Sequence, residues 1–307
     1  MEEVGNLQII DTKMHGRDGI TAAFIVEGDQ RALIETGPKS SLEHLLEGLE
    51  AAGIDTLDWI VVTHIHLDHA GAAGSLAQRF PGATVAVHEV GAPHLVDPTK
   101  LWSSAARIYG DHMDTLWGGI DPVPRERILA LQDGDKIDLG GRVLQAIDTP
   151  GHARHHHAIL DDSTGTVFTG DALGVRLPDI GIMRPATPPP EFNLEAAVGS
   201  IERIRSLSPN TLCLTHFGPT HEGIVARGVD DACAAAADAL ERWAGWVRAA
   251  RKETSDLDEA TALVRRSVED DLAQSLAPGA VDRLEQTTSY RMNTWGYMRY
   301  FDKKASS

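Results

Sequence analysis

Residues 63–71 read THIHLDHAG. Three histidines and an aspartate fall within six positions, directly after the apolar run of residues 59–62. His64 and His66 are two positions apart, so on an extended segment their side chains point the same way. Asp68 and His69 follow at the turn into a predicted helix. Imidazole and carboxylate are good ligands for zinc, and burying this cluster without a metal would be costly. The stretch therefore predicts a metal site.

Three later apolar runs end in a residue of the same kind. His152 ends the run TPGH, Asp171 follows FTG, and His216 ends LTH. A lone histidine at a strand end is more often a hydrogen-bonded structural residue than a ligand. Here the order repeats, with an apolar run, then Thr or Gly, then His or Asp. A sheet whose strand ends converge on one mouth would produce this pattern. We therefore expect these three residues to lie near the first cluster.

Composition and charge exclude several classes of partner. The 307 residues include 28 Lys and Arg against 45 Asp and Glu, a formal net charge of −17. Phosphate binding needs a basic face, so we expect no nucleic-acid partner and no anionic membrane surface. No apolar run approaches the ~20 residues that span a bilayer. The N-terminal residues MEEVGNLQII lack the features of a secretory signal, and Cys213 and Cys233 imply no disulfide framework. We expect a cytoplasmic protein that acts on a small-molecule substrate.

The chain divides into two parts by composition. Residues 1–223 alternate short apolar runs, turn residues and helical periods, which indicates an α/β (α+β) domain that holds the site. Residues 224–307 have long Ala-, Leu-, Arg- and Glu-rich segments, and the pattern predicts helices over 230–251 and 256–272. We expect this second part to be a helical extension packed on the first. Its last helix, residues 290–301, is apolar or aromatic all round, which is typical of a buried helix or of a homodimer interface.

The motifs HIHLDH, TPGH, TGDA and LTH, in this order over about residues 6–222, resemble those of the metallo-β-lactamase-fold hydrolases. The resemblance implies an αββα sandwich with the metals at one edge of the two sheets, followed here by the C-terminal helical extension. It also implies two metal ions per chain. One ion would be bound by His64, His66 and His152, and the second by Asp68, His69 and His216, with Asp171 bridging the two.

Three further residues belong to the expected surroundings of the metals. Glu35 stands where the family usually has aspartate, and we expect it to orient a ligand histidine. His156 lies four residues beyond His152, where many relatives also have a histidine; it would hydrogen-bond the metal ligands or contact the substrate. His221 closely follows His216 and could line the mouth. Around them, the long insertion at residues 90–128 could cap the site, and the proline-rich residues 184–190 would flank it.

The resemblance implies a metal-dependent hydrolase. Two metals would hold a bridging hydroxide, because coordination lowers the pKa of water to about 7. We expect this hydroxide to cleave an ester, lactone, thioester or phosphoester, as in lactonase-like or glyoxalase II-like relatives, with Asp68 as the catalytic proton acceptor. Two zinc ions are expected, with iron or manganese as other possibilities. The alternative is a non-haem iron oxygenase such as a persulfide dioxygenase, which binds a single iron with fewer of these residues.

Overall fold

A computed structural model describes residues 2–4, 7–177, 180–216, 224–225, 228–272, 284–285 and 287–306, with only the backbone described for residues 2–4 and 224–225. The strands are β1 (Glu2–Val4), β2 (Leu7–Asp11), β3 (Ala22–Glu27), β4 (Arg31–Ile34), β5 (Trp59–Val61), β6 (Thr84–His88), β7 (Ile128–Leu131), β8 (Lys136–Asp138), β9 (Val143–Asp148), β10 (His157–Asp161), β11 (Thr166–Gly170), β12 (Val175–Arg176), β13 (Met183–Arg184), β14 (Thr211–Leu214) and β15 (Ile224–Val225).

These strands form two large sheets and one small hairpin. The first sheet has the order β1-β2-β3-β4-β5-β6-β7, with antiparallel pairing up to β4 and parallel pairing from β4 to β7. The second sheet has the order β15-β14-β11-β10-β9-β8, in which only β11 and β14 are parallel among the described pairs. Strands β12 and β13 form the hairpin.

Helices cover the outer faces of the sheets. They are α1 (Leu42–Ala51), α2 (Leu67–Ala70), α3 (Ala73–Arg79), α4 (Ala92–Val96), α5 (Thr99–Tyr109), α6 (Met113–Trp117), α7 (Leu194–Ser206), α8 (Val229–Glu253), α9 (Leu257–Leu272) and α10 (Tyr290–Ala305). Short 3-10 helices lie at Met14–Gly16, Lys39–Ser41, Gly110–His112 and Arg125–Arg127. Within the described residues, no helix is both long enough and apolar enough to cross a membrane.

Successive side chains of a strand point to opposite faces of its sheet, so one strand can contribute to two hydrophobic cores. In β3, Phe24 belongs to the core between the two sheets, whereas its neighbour Ile25 belongs to the core under α1. A strand buried on both faces needs an unbroken apolar run, and β3 has one in AAFIV. A third core joins the outer face of the second sheet to α7, α8, α9 and α10, and it includes Ile201 and Trp243. The layers are therefore αββα with C-terminal helices, and the predicted fold class is confirmed.

Helices α8 and α9 lie where the helical period places them. The last helix begins at Tyr290, after Ser289 accepts a hydrogen bond from the backbone N–H of Met292 at 3.0 Å. Its buried residues include Tyr297, whose hydroxyl donates to the carbonyl of Leu240 in α8 at 2.7 Å. This helix is packed within the chain, and the homodimer stays a prediction.

Replacement of Phe168 by alanine should destabilise the fold strongly. The Phe168 ring lies 5.2 Å from that of Phe24 between the sheets and is fully buried. Deleting a buried phenylalanine side chain costs about 3–5 kcal/mol. Urea unfolding should show this loss, while Val90→Ala, at a side chain that is 42% exposed, should change the unfolding free energy by less than about 0.5 kcal/mol. Equal losses of unfolding free energy in Phe168→Ala and Val90→Ala would contradict the assignment of Phe168 to the core between the sheets.

Acid should destabilise the fold through His157, which links the two sheets. Its backbone N–H donates to Thr63 O and its Nε2 donates to Val62 O, both at 3.0 Å. Burial lowers the pKa of His157 to about 4, against 6.5 in the unfolded chain. The unfolded state therefore takes up this proton first as the pH falls from 6.5 to 4. Wild type should lose about 3 kcal/mol relative to His157→Gln over this range, at about 1.4 kcal/mol per pH unit. A difference in unfolding free energy between wild type and His157→Gln that does not change with pH would contradict this prediction.

Candidate metal centre

The candidate site lies where strands of both sheets end. Strands β4 and β5 are parallel neighbours in the first sheet, as are β11 and β14 in the second. Glu35 follows β4, and the stretch containing His64 follows β5. Asp171 follows β11, His216 comes two residues after β14, and His152 lies in the loop between β9 and β10. The structure thus brings residues that are far apart in sequence to one edge of the sandwich.

Three histidines form the first group. His66 is extended (φ −61°, ψ 152°), and α2 begins at the next residue. His66 Nδ1 lies 3.0 Å from His64 Nε2 and 2.8 Å from His152 Nε2. The other ring nitrogen of two of these histidines contacts a protein group. His64 Nδ1 lies 3.0 Å from Thr63 Oγ1, and His152 Nδ1 donates to the carbonyl of Ala186 at 2.9 Å. All three rings therefore direct a nitrogen to a common point, as metal ligands do.

A second group forms beside the first from Asp68, His69 and His216. Asp68 Oδ2 lies 3.3 Å from His216 Nε2 and 3.8 Å from His69 Nε2. His216 Nδ1 donates to the carbonyl of Ile20 at 2.9 Å, so the other nitrogen of this ring turns inward. His216 thus resembles His152 in the first group, since a backbone carbonyl holds Nδ1 of each ring and Nε2 faces the other candidate ligands.

The carboxylate of Asp171 lies between the two groups. Its Oδ2 is 3.5 Å from His152 Nε2 in the first group. Its Oδ1 is 3.4 Å from His69 Nε2 and 3.6 Å from His216 Nε2 in the second. One side chain thus faces both groups, which is the position of a ligand that bridges two ions.

The donor set fits metal ions. Three overlapping groups have ligand atoms within 4.8 Å of one another, namely His64, His66 and His152; His64, His69 and Asp171; and Asp68, His69 and His216. Both ring nitrogens of His69 and the Oδ1 of Asp171 are buried without a hydrogen-bond partner in the described part of the chain. Buried polar atoms that lack a partner are costly. A metal ion would supply the missing partner of His69 Nε2 and of Asp171 Oδ1, while His69 Nδ1 faces Glu35 Oε1 at 3.3 Å.

The two groups differ in their charge. Burial lowers the pKa of the rings of His64, His66 and His152, so these rings are neutral near pH 7 and each has a lone pair available. Burial also acts on His69 and His216, but the surrounding carboxylates outweigh it and raise the pKa of both rings above the ordinary value. The first group is therefore a neutral nitrogen site, and the second combines imidazole with carboxylate.

Glu35 is buried behind the second group. Its φ of 69° lies in the left-handed region, which is uncommon for a residue other than glycine. Its Oε1 accepts from the hydroxyls of Thr63 at 2.5 Å and Thr215 at 3.2 Å, and it lies 3.3 Å from His69 Nδ1. Because the two threonines follow strands of different sheets, this carboxylate joins the sheets at the site. Its contact with His69 supports the expected orienting role, which stays a prediction.

His156 is buried beside Asp171 and does not line the cavity over the site. Its Nδ1 donates to Thr149 Oγ1 at 2.8 Å, and its Nε2 accepts from the backbone N–H of Asp171 at 3.1 Å. A Cβ at Gly170, where φ is 50°, would lie 2.6 Å from this Nε2. The contacts favour a role in holding Asp171 over contact with a substrate. His221 lies outside the described residues.

A cavity of about 670 Å³ is lined by His66, Asp68, His152, Asp171 and His216. One further wall is α5, which lies in the 90–128 insertion and includes Tyr109. The opposite wall comes from the start of α10 and includes Met292, whose Sδ is 3.9 Å from the Tyr109 hydroxyl. The insertion and the proline-rich residues 186 and 188–190 thus border the site as expected.

Several features of the site had no signal in the sequence. The acceptors for His152 and His216 are the backbone carbonyls of Ala186 and Ile20, and a carbonyl has no residue-type signature. Met292 reaches the cavity from the last helix, for which the sequence predicts packing on the first domain or in a homodimer interface. The all-round apolar character of its helix was the only available hint.

The chain belongs to the metallo-beta-lactamase superfamily, whose sequence profile matches residues 15–216. The metallo-beta-lactamase fold-containing protein ST1585 of Sulfurisphaera tokodaii is 30% identical over 204 residues, covering 65% of this chain and 73% of that protein. The crystal structure of ST1585, described as from Sulfolobus tokodaii, has a TM-score of 0.66 at 23% identity, covering 95% of this chain and 97% of that chain. A hydroxyacylglutathione hydrolase of Acidiphilium cryptum is 32% identical over 224 residues, covering 72% of this chain and 74% of that protein.

Glu35→Gln should weaken zinc binding by about 10–100-fold, the usual effect of removing a residue that orients a ligand. Glutamine keeps the size and the backbone but loses the charge that faces His69 Nδ1. Competition with a chromophoric chelator would measure the affinity. The matched control is Glu43→Gln on the exposed face of α1, which should bind zinc as wild type does. Unchanged affinity in Glu35→Gln would show that the carboxylate does not act on the metal ligands.

Proposed function

We propose that this chain is a dinuclear metal-dependent hydrolase. The position of Asp171 carries the proposal, because one oxygen of its carboxylate faces His152 and the other faces His69 and His216. A site for a single ion would need only the three histidines of the first group. It would leave the buried side chains of the second group directed at one another without an ion.

The proposed ligand sets follow the two groups. His64, His66 and His152 would hold the first ion, Asp68, His69 and His216 would hold the second, and Asp171 would be shared by both. Bound zinc ions would lower the pKa of water to about 7 and polarise the carbonyl or phosphoryl group of a substrate.

Asp68 is the proposed proton acceptor. Its side chain is 19% exposed and lines the cavity, whereas the Asp171 side chain is 5% exposed. Asp68 is therefore the more accessible of the two carboxylates at a position where a substrate could reach it. The 3.3 Å contact of its Oδ2 with His216 Nε2 fixes its orientation.

The cavity favours a small substrate with an apolar part and a negative charge. Helix α5 contributes Leu101 and Ile108 to the lining, and Arg17 and Lys100 line the same cavity. The positively charged side chains of Arg17 and Lys100 would attract an anionic group despite the net negative charge of the whole chain. The relative named hydroxyacylglutathione hydrolase supports an ester or thioester. We infer that the substrate is an ester, thioester or lactone of this kind, with a phosphoester as the other possibility.

Metal content tests the proposal first. Protein purified without added metal should contain about two zinc ions per chain, and it should hydrolyse at least one member of a panel of thioesters, lactones, carboxylic esters and phosphodiesters. One iron per chain with oxygen consumption on a persulfide would overturn the proposal in favour of a dioxygenase.

Asp68→Asn should lower kcat by at least about 100-fold on whichever substrate of the panel is cleaved, because asparagine keeps the volume but cannot accept the proton. Zinc content is measured on the same sample, at saturating zinc. Wild-type turnover by a variant that holds its full metal complement would remove Asp68 from the mechanism. Glu43→Gln again serves as the control and should keep wild-type activity.

A further inference from the structure

The orientation of His152 depends on a short proline-rich segment. We call residues 184–190, RPATPPP, the strap. The carbonyl of Ala186 in the strap accepts the hydrogen bond from His152 Nδ1 at 2.9 Å. Four of the seven strap residues are prolines, which have no N–H and cannot be held by donating hydrogen bonds. The strap therefore needs donors and acceptors from elsewhere to keep the Ala186 carbonyl in place.

Helix α10 supplies them through Asn293, which is fully buried. Asn293 Oδ1 accepts from the backbone N–H of Thr187 at 3.0 Å and from its hydroxyl at 3.1 Å. Asn293 Nδ2 donates to the carbonyl of Pro185 at 2.8 Å. One amide side chain thus holds the residues on both sides of Ala186.

Two further contacts link the region of α10 to the strap. A Cβ at Gly296 would collide with the carbonyl of Thr187, so the helix backbone packs directly on the strap. At one end Arg184 Nη2 donates to Glu285 Oε1 at 3.1 Å, and the same oxygen accepts from the N–H of Tyr290 at 2.7 Å. Helix α10 therefore contacts the strap directly at Pro185 and Thr187, and this helix lies outside residues 15–216, the part matched by the superfamily profile.

We propose that Asn293 is a positioning residue for the metal centre, which acts on His152 through the strap. It fixes Pro185 and Thr187, these fix the Ala186 carbonyl, and that carbonyl sets which nitrogen of His152 faces the metal. The inference rests on the metal centre of the proposed function. A backbone carbonyl cannot be replaced by mutation, so Asn293 is the side chain through which this hydrogen bond can be changed.

A merely stabilising role for Asn293 would give a different result from a positioning role. Tyr297 provides the matched control, since it lies one turn further along α10 and is also fully buried. Its hydroxyl donates at 2.7 Å to the carbonyl of Leu240 in α8, away from the strap. Tyr297→Phe removes a buried hydrogen bond from the same helix without touching the strap.

The experiment measures zinc affinity by chelator competition and thermal unfolding of the metal-free protein for wild type, Asn293→Ala, Asn293→Asp and Tyr297→Phe. Both Asn293 variants should bind zinc about 10-fold more weakly than wild type. In Asn293→Asp an acceptor oxygen would face the Pro185 carbonyl in place of a donor. Tyr297→Phe should lower the melting temperature but bind zinc within about 2-fold of wild type.

Equal zinc affinity in wild type and Asn293→Ala would overturn the inference, as would an equal loss of affinity in Tyr297→Phe. If Asn293→Ala does not fold, Thr187→Val removes the hydroxyl that donates to Asn293 Oδ1 at 3.1 Å and lies 3.3 Å from the Asn293 carbonyl. It should weaken zinc binding by about 3-fold, and unchanged affinity there also overturns the inference. Wild-type protein that binds no zinc would refute the proposed function and this inference together. Wild-type protein with two zinc ions and unaffected variants would refute only the role of Asn293.

Discussion

An imidazole that binds a metal almost always has its second nitrogen held by another group, and such contacts orient most of the histidines of this site. For His152 and His216 the partner is a backbone carbonyl, from Ala186 and Ile20 respectively. For His69 the nearest outward group is the carboxylate of Glu35. These partners come from the strap, from the loop before β3 and from the end of β4. The second nitrogens of these histidines are thus held by three segments that are far apart in sequence, which the packing of the two sheets brings together.

The two groups of candidate ligands differ in their chemistry. The first group has three neutral rings, and the second adds the carboxylate of Asp68 to rings whose charge is set by neighbouring acids. Nitrogen ligands suit zinc, whereas a mixed nitrogen and oxygen set also accepts harder ions such as manganese. If each group holds an ion as proposed, this asymmetry would make the two positions differ in affinity and in the metals they accept.

Much of this architecture follows from local sequence pattern, and the rest depends on contacts between distant residues. The apolar run of residues 22–26 predicts a strand, the helical period of residues 230–251 predicts a helix, and the position of His or Asp after apolar runs predicts the convergence of these side chains. The ligand roles stay predictions, since they await a bound metal. The left-handed backbone of Glu35 could not be expected, because glutamate rarely adopts it. Nor could the approach of Tyr109 to Met292, which joins segments 183 positions apart.

The hold of α10 on the strap also has a consequence for synthesis of the chain. Domains generally fold as units while the chain leaves the ribosome, from the N-terminal end onward. Residues 64 to 216 supply every proposed ligand, so a nascent chain could dock both sheets and still lack the helix that fixes the Ala186 carbonyl. Full metal affinity would then arise only after translation has passed residue 293. Until that point the incomplete centre would hold metal more weakly, so tight metal binding would be a late step in the maturation of the protein.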